Sequence, residues 1–145
     1  MKILSNGSAY GLRALLYLAA KGDTREFVSI GEISEQLDIS FHFLTKVLQS
    51  LSQKDILVSY RGPNGGVALA RAPETIRLSE VVLILEGEDY FEKCLLGLPG
   101  CGDQAPCPMH YRWKHWKASI RSEFESTTLA DLKEPELLKH LRWAT

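Results

Sequence analysis

The sequence predicts a mainly α fold with one small β-hairpin wing: a winged helix-turn-helix, then a cysteine-bearing loop, then a long helix. Three observations carry this reading. Two short amphipathic stripes are separated by a three-residue turn, Asp38-Ile39-Ser40. Directly after them the pattern changes from helical to strand-like around the run RGPNGG at residues 61–66. Downstream, Met109, Trp113, Trp116 and Ile120 repeat at steps of four, three and four, which is a helical packing seam.

Each element follows from local chemistry. Leu12, Leu15, Leu16 and Ala19 recur at helical spacing between Ser8 and Lys21, and Gly22 supplies a stop. Ser29 with Glu32 three residues on makes a capping box for a short helix whose apolar face is Ile30, Ile33 and Leu37. After the turn, Ser40 is a second candidate cap, and Leu44, Val47, Leu48 and Leu51 form the next stripe. Phe41, His42, Thr45, Lys46 and Gln49 fall mainly off that stripe. Two strands, Ile56 to Arg61 and Val67 to Ala70, flank a turn made by Pro63, Asn64, Gly65 and Gly66, residues that fix φ or accept a positive one. A hairpin placed directly after a helix-turn-helix is a wing. Beyond Pro73, a capped run from Ser79 to Glu86 carries Val82 and Leu85 as a further helix, ended by Gly87. The chain has no internal repeats, and from Lys133 it reads as a loosely attached tail with one Leu-bearing turn.

Composition bounds the function. A chain of 145 residues, 45% hydrophobic, has room for one folded unit and an appendage. No apolar run has the flanks of a leader or the length to cross a bilayer, so the expectation is a cytoplasmic protein without a membrane partner. The net charge of -1 conceals an uneven distribution. Residues 39–71 carry Lys46, Lys54, Arg61 and Arg71 against Asp55 alone, whereas residues 72–145 hold nine basic and twelve acidic side chains. The locally basic segment is the helix-turn-helix and wing, which points to DNA. Ser40, His42, Phe43, Thr45 and Lys46 are the candidates for the major groove. Arg61 is the candidate for a narrow minor groove, with Gly62, Pro63 and Asn64 at the wing tip. A winged helix used only for protein contacts is the bland alternative. No nucleophile with a base, phosphate loop or paired catalytic carboxylates can be assembled, so an enzyme is not expected.

The three cysteines set the second site. Cys94, Cys101 and Cys107, with His110, have the spacing C-x6-C-x5-C-x2-H in a stretch kept irregular by Pro99, Gly100, Gly102, Pro106 and Pro108. An odd number of thiols is a poor disulfide framework, and thiolates that converge from a loop suit a soft metal centre. An iron-sulfur cluster is favoured over zinc because paired C-x2-C knuckles are absent. Three unliganded thiols are the remaining reading. His110 is the candidate fourth ligand, although His115 and His140 show histidine used elsewhere in the chain.

The run Ile33-Ser34-Glu35, Ile39-Ser40 with Leu44, then Leu51, Leu57-Val58-Ser59, RGPNGG and Leu69-Ala70-Arg71 resembles the IscR/NsrR-type winged-helix regulators, the Rrf-two superfamily of bacterial transcription factors. So do the three cysteines, CPMH at 107–110 and TTLADL at 127–132. The resemblance covers nearly the whole chain. It implies a homodimer on a double-stranded operator, made by the long helix after the cysteine loop, with cluster state setting DNA affinity. It matches Cys94, Cys101, Cys107 and His110 to cluster ligands and Arg61 to the wing arginine. The implied organisation is a winged helix-turn-helix domain over 1–87, a cluster-binding loop over 88–108, a dimerisation helix over 109–132 and a tail over 133–145.

Two departures stand out. Nitric-oxide-sensing members place a carboxylate near Ala9, which cannot ligate, and Ser8 is a weak substitute. The first cysteine interval is one residue longer than in the best-known cluster regulators. Three cysteines and one histidine favour 2Fe-2S over 4Fe-4S. The expectation is therefore a transcriptional regulator whose cluster senses iron, redox state or nitric oxide; the alternative is a cluster-free regulator with a thiol/disulfide or zinc switch.

Overall fold

In the computed structural model, described over residues 3–21 and 26–134, the elements follow the expected order. They are α1 (Asn6–Ala20), α2 (Ile30–Leu37), α3 (Phe41–Gln53), β1 (Leu57–Tyr60), β2 (Gly66–Leu69), α4 (Leu78–Glu86) and α5 (His110–Ser126), with short 3-10 turns at Pro73–Thr75, Tyr90–Glu92 and Ala130–Leu132. Gly22, read as the stop of α1, lies outside the described residues, as does the tail beyond Glu134.

The core forms where α1, α3 and α4 meet, with α2 and the wing packed against it. Leu15, Ile33, Leu44, Leu48, Leu51, Ile56, Val67, Ile76, Val81 and Leu129 are fully buried there. The buried face of α1 is Ala14, Leu15, Leu18 and Ala19, together with Gly11. Leu12 and Leu16, placed on that face by sequence spacing, are only half-buried at its edge. A Cβ on Gly11 would come within 2.7 Å of Leu85 Cδ1 and 2.9 Å of Val47 Cγ1, so the absence of a side chain is what lets α1 approach both neighbours.

The turn between α2 and α3 works through Asp38, which takes the left-handed conformation (φ 55°, ψ 51°) at the end of α2. Ile39 then enters the core, its N–H donating to the Ser34 carbonyl at 3.0 Å. Ser29 caps α2 as expected, accepting from the Glu32 N–H at 3.1 Å. The Glu32 carboxylate, however, accepts from Tyr17 Oη and Lys21 Nζ, both at 2.7 Å, and so ties α2 to α1. Ser40 stands at the N-cap of α3 but makes no side-chain capping bond. Ser79 is not a cap either: α4 starts one residue earlier, where the Arg77 N–H donates to Glu80 at 3.1 Å.

The wing is antiparallel, with Leu57 opposite Leu69 and Tyr60 opposite Gly66. Its tip turns on Pro63 and Asn64, closed by the Gly65 N–H donating to the Gly62 carbonyl at 2.9 Å, with positive φ at Gly62 (141°). Gly66, expected in the turn, is the first residue of β2. Val28 and Val67 exchange backbone hydrogen bonds at 2.9 Å, so the chain entering α2 adds a short third edge to the wing. That close approach dictates glycine at 66, where a Cβ would sit 2.1 Å from the Val28 carbonyl oxygen. After α5 the chain turns back. Thr127 and Leu129 pair with Leu78 and Ile76, and Leu129 plugs the core. The segment 127–132 therefore belongs structurally to the winged-helix core.

Gly66→Ala should destabilise the fold by about 1–3 kcal/mol, because the clash is with backbone. Gly31→Ala, with nothing within 4 Å of the added methyl, should be neutral or gain up to about 1 kcal/mol. Urea unfolding at matched protein concentration checks this, and equal midpoints for the two variants would refute the steric account.

Candidate metal centre and nucleic-acid interface

The cysteine loop is built onto α5. Where α4 ends, Gly87 takes φ 112°, and the following 3-10 turn buries Phe91 against Phe124 of α5, with the Arg121 guanidinium 5.4 Å from the Phe91 ring centre. The Lys93 carbonyl then accepts from Trp113 Nε1 at 2.9 Å and from Lys117 Nζ at 3.2 Å. Gly97 and Gly100 have φ of 72° and 75°, which lets the backbone fold back on itself. The His110 N–H donates to the Cys107 carbonyl at 3.0 Å and begins α5.

These constraints bring the three sulfurs together. Cys94, Cys101 and Cys107 present their Sγ atoms within 4.8 Å of one another, all half-buried and unbridged. Cys94 and Cys107 are 3.7 Å apart, and His110 Nδ1 lies 3.6 Å from Cys101 Sγ. A tetrahedral centre with metal–sulfur bonds of about 2.3 Å and metal–nitrogen bonds of about 2.0–2.1 Å has edges of roughly 3.8 Å between sulfurs and roughly 3.6 Å from sulfur to nitrogen. The three thiols could thus hold a soft metal, with the His110 imidazole beside Cys101.

Electrostatics support the same use. Backbone N–H groups of Leu98 and then Leu96 stabilise the Cys94 thiolate, aided by the neighbouring thiols, and outweigh partial desolvation to bring its pKa down to about 7. At Cys101 the Cys107 N–H favours the thiolate, but desolvation and the adjoining thiols together win and raise its pKa. Ser8, the weak substitute ligand, is turned elsewhere: its buried hydroxyl donates to the Glu86 carboxylate, which also accepts from the Ser5 N–H at 2.8 Å. Desolvation works to raise the Glu86 pKa, yet the Ser8 and Ser5 hydrogen bonds together leave it lowered.

The second surface lies on α3 and the wing. His42, Lys46 and the wing tip from Arg61 to Asn64 are exposed, Ser40 is exposed at the start of α3, and Thr45 is half-buried with its hydroxyl donating to the Phe41 carbonyl at 2.7 Å. Phe43 differs from the others. It stacks edge-on against Tyr10, ring centres 5.2 Å apart, and lies over Gly7, so one side of its ring belongs to α1. Between α3 and the wing runs a cleft of about 500 Å³ lined by Phe41, Thr45, Gln49, Tyr60 and Arg61. The sequence spacing places Phe41 and Gln49 off the apolar stripe but gives them no role. Their 41/45/49 spacing, one side of a helix, was the available signal.

Comparison with known proteins gives one answer. The Rrf2 family, described as iron-dependent transcriptional regulators, matches residues 4–135. A protein of Aquifex aeolicus (strain VF5), described as an HTH-type transcriptional regulator, is 36% identical over 141 residues, 96% of each chain. Among solved structures, CymR (YrzC), the global cysteine regulator of B. subtilis, superposes with a TM-score of 0.73 at 26% identity, covering 92% of this chain and 97% of CymR. IscR of T. potens does so at 0.72 and 26% identity, covering 100% of this chain and 93% of IscR. The chain belongs to the Rrf2 family and is a DNA-binding transcriptional regulator, not an enzyme.

Proposed function

We propose that this regulator carries an iron-sulfur cluster, 2Fe-2S in type, on Cys94, Cys101, Cys107 and His110, and that the cluster's state sets its affinity for a double-stranded operator. The observation that carries the reading is the convergence of three thiols within 4.8 Å of one another, with the His110 imidazole nitrogen 3.6 Å from one of them. The overall fold does not choose between cluster and thiol chemistry, since the likeness to a cysteine regulator and to IscR is equal within 0.01 in TM-score. What supports the cluster reading is the imidazole nitrogen 3.6 Å from Cys101 Sγ, which supplies a candidate fourth ligand beside three thiols.

When bound, the cluster supplies a centre whose charge and integrity respond to iron supply, redox state or nitric oxide. The chain's own residues do the rest. Cys94 follows Lys93, whose carbonyl is fixed to Trp113 and Lys117, so the loop's order and the setting of α5 are linked. At the other end of the same segment, Glu86 holds Ser5 and Ser8, and the Tyr90 hydroxyl donates to the Ile3 carbonyl at 2.7 Å. From α1, contact passes to α3 through Gly7, Gly11 and Tyr10 against Phe43 and Val47. This is a continuous packed route from thiols to DNA-reading helix.

A homodimer is the working form we propose, with α5 as its seam. None of the residues of α5 is buried, and Trp116 on the seam is 46% exposed. Two-fold pairing would present the recognition helices to half-sites about 34–36 Å apart or a multiple of that. Among the described residues no helix is long and apolar enough to cross a membrane, and we place the regulator in the cytoplasm, where the DNA is.

Anaerobically purified protein should contain iron and acid-labile sulfide. Cys94→Ala, Cys101→Ala and Cys107→Ala should each lose them, and His110→Ala should keep a weaker, spectrally altered cluster. Iron and sulfide unchanged in all three cysteine variants would overturn the assignment, and stoichiometric zinc or a redox-active disulfide in their place would establish the thiol-switch alternative. On the DNA side, Arg61→Ala should cost about 1–3 kcal/mol if the guanidinium reads a groove edge. Lys46→Ala should weaken binding to all sequences and lower the salt slope by about one. Fluorescence anisotropy across a salt series checks both, and a Lys46/Arg61 double variant that binds like the wild type would remove these residues from the interface.

A further inference from the structure

Asp103 is not one of the four groups proposed to hold the cluster, yet it grips the one whose chemistry is most orientation-dependent. Its Oδ1 lies 2.8 Å from His110 Nε2, and Lys114 Nζ holds both carboxylate oxygens, at 3.0 and 2.8 Å. Lys114 stands one helical turn after His110 on α5, so the two side chains share a face and meet the loop carboxylate together. The Tyr111 hydroxyl also donates to the Asp103 carbonyl at 3.4 Å.

An exposed ion pair of this kind contributes little to stability. The Asp103 and Lys114 side chains are 61% and 56% exposed. His110 is the least exposed of the three, at 15%, and its ring nitrogen finds its partner in the carboxylate. An ionised carboxylate only accepts hydrogen bonds, so the proton between His110 and Asp103 sits on Nε2. The lone pair of neutral imidazole is then on Nδ1, the nitrogen 3.6 Å from Cys101 Sγ. Without the carboxylate the ring could rotate or exchange tautomers. With it, one nitrogen is committed and the other is presented.

We infer that Asp103, itself held by Lys114, is a positioning residue that fixes the His110 ring with Nε2–H bound to the carboxylate and Nδ1 offered as the ligand atom. The inference rests on His110 being a ligand, but its geometric part concerns the metal-free chain. Partners of this kind, one bond beyond a ligating histidine, raise its basicity and commonly support metal affinity by about 10–100-fold.

The test uses the full-length chain in two arms. In 15N-labelled, metal-free, reduced protein at a pH where histidine is neutral, the His110 Nε2–H should give a downfield proton resonance protected from exchange with water. It should disappear in Asp103→Ala and persist in Asp103→Asn, whose amide oxygen can still accept. A resonance indifferent to Asp103→Ala, or its absence from the wild type, overturns the inference. In cluster-loaded protein, the chelator concentration that removes half of the iron should fall about 10–100-fold in Asp103→Ala and recover in Asp103→Asn. The nitrogen hyperfine coupling of the reduced cluster should change in the alanine variant alone. Equal retention and coupling in all three proteins would also overturn the inference. A wild type that takes up no cluster would refute the proposed function, and the metal-free resonance would still decide the role of Asp103.

Discussion

Three sulfurs held within 4.8 Å by a loop without regular hydrogen bonding is the constraint around which this molecule is organised. A ladder of backbone bonds would fix such a loop cheaply, but helix and strand spacings cannot bring residues 94, 101 and 107 to one point. The loop borrows rigidity from α5 instead. Lys93 is anchored by Trp113 and Lys117, Asp103 by Lys114 and His110, and Phe91 by Phe124 and Arg121. Sulfur position and helix position are therefore nearly one degree of freedom. A ligand that orders the loop acts on the helix that carries the half-buried Trp113 and the exposed Trp116.

The same economy appears at the other end. Glu86, at the last turn of α4, receives the first backbone and hydroxyl donors of α1, and its lowered pKa reflects hydrogen bonds that outweigh the cost of its partial burial. The α1 helix lies close against α3 because Gly11 has no side chain, and Phe43 spends one side of its ring on Tyr10. A shift at the α4–loop junction thus has packed matter in front of it as far as the recognition helix. Such interiors move between discrete arrangements and do not deform smoothly, which suits a switch.

Much of this was legible in the residues. The helix-turn-helix and wing follow from apolar stripes that switch period at a glycine-rich turn, and the helices formed close to their expected positions except at the end of α5, which stops at Ser126 and leaves 127–132 to return to the core. The cysteines also stood out in the sequence, because thiol chemistry depends on residue type more than on fold, and the fold brings their three sulfurs together. What escaped was non-local. The Val28–Val67 bridge, the return of Leu129 into the core and the grip of Asp103 on the His110–Lys114 pair each join residues that no sequence period relates. Ser40 and Ser79 illustrate the opposite failure: both look like caps, but neighbouring backbone geometry leaves one without a capping bond and takes the other inside α4. That α1 lies beside Phe43 is likewise non-local, since no pattern within α3 shows it.

The central claim is that the cluster tunes DNA binding by resetting folded, paired winged helices, and it asks little energy: a hundredfold change in affinity corresponds to about 2.7 kcal/mol of coupling. The direct measurement is titration of one native operator with cluster-loaded and cluster-free protein, each checked by sedimentation velocity in the same buffer. The account predicts two folded dimers whose affinities for at least one operator differ. Equal affinities for every native operator would contradict it and leave the cluster a structural staple.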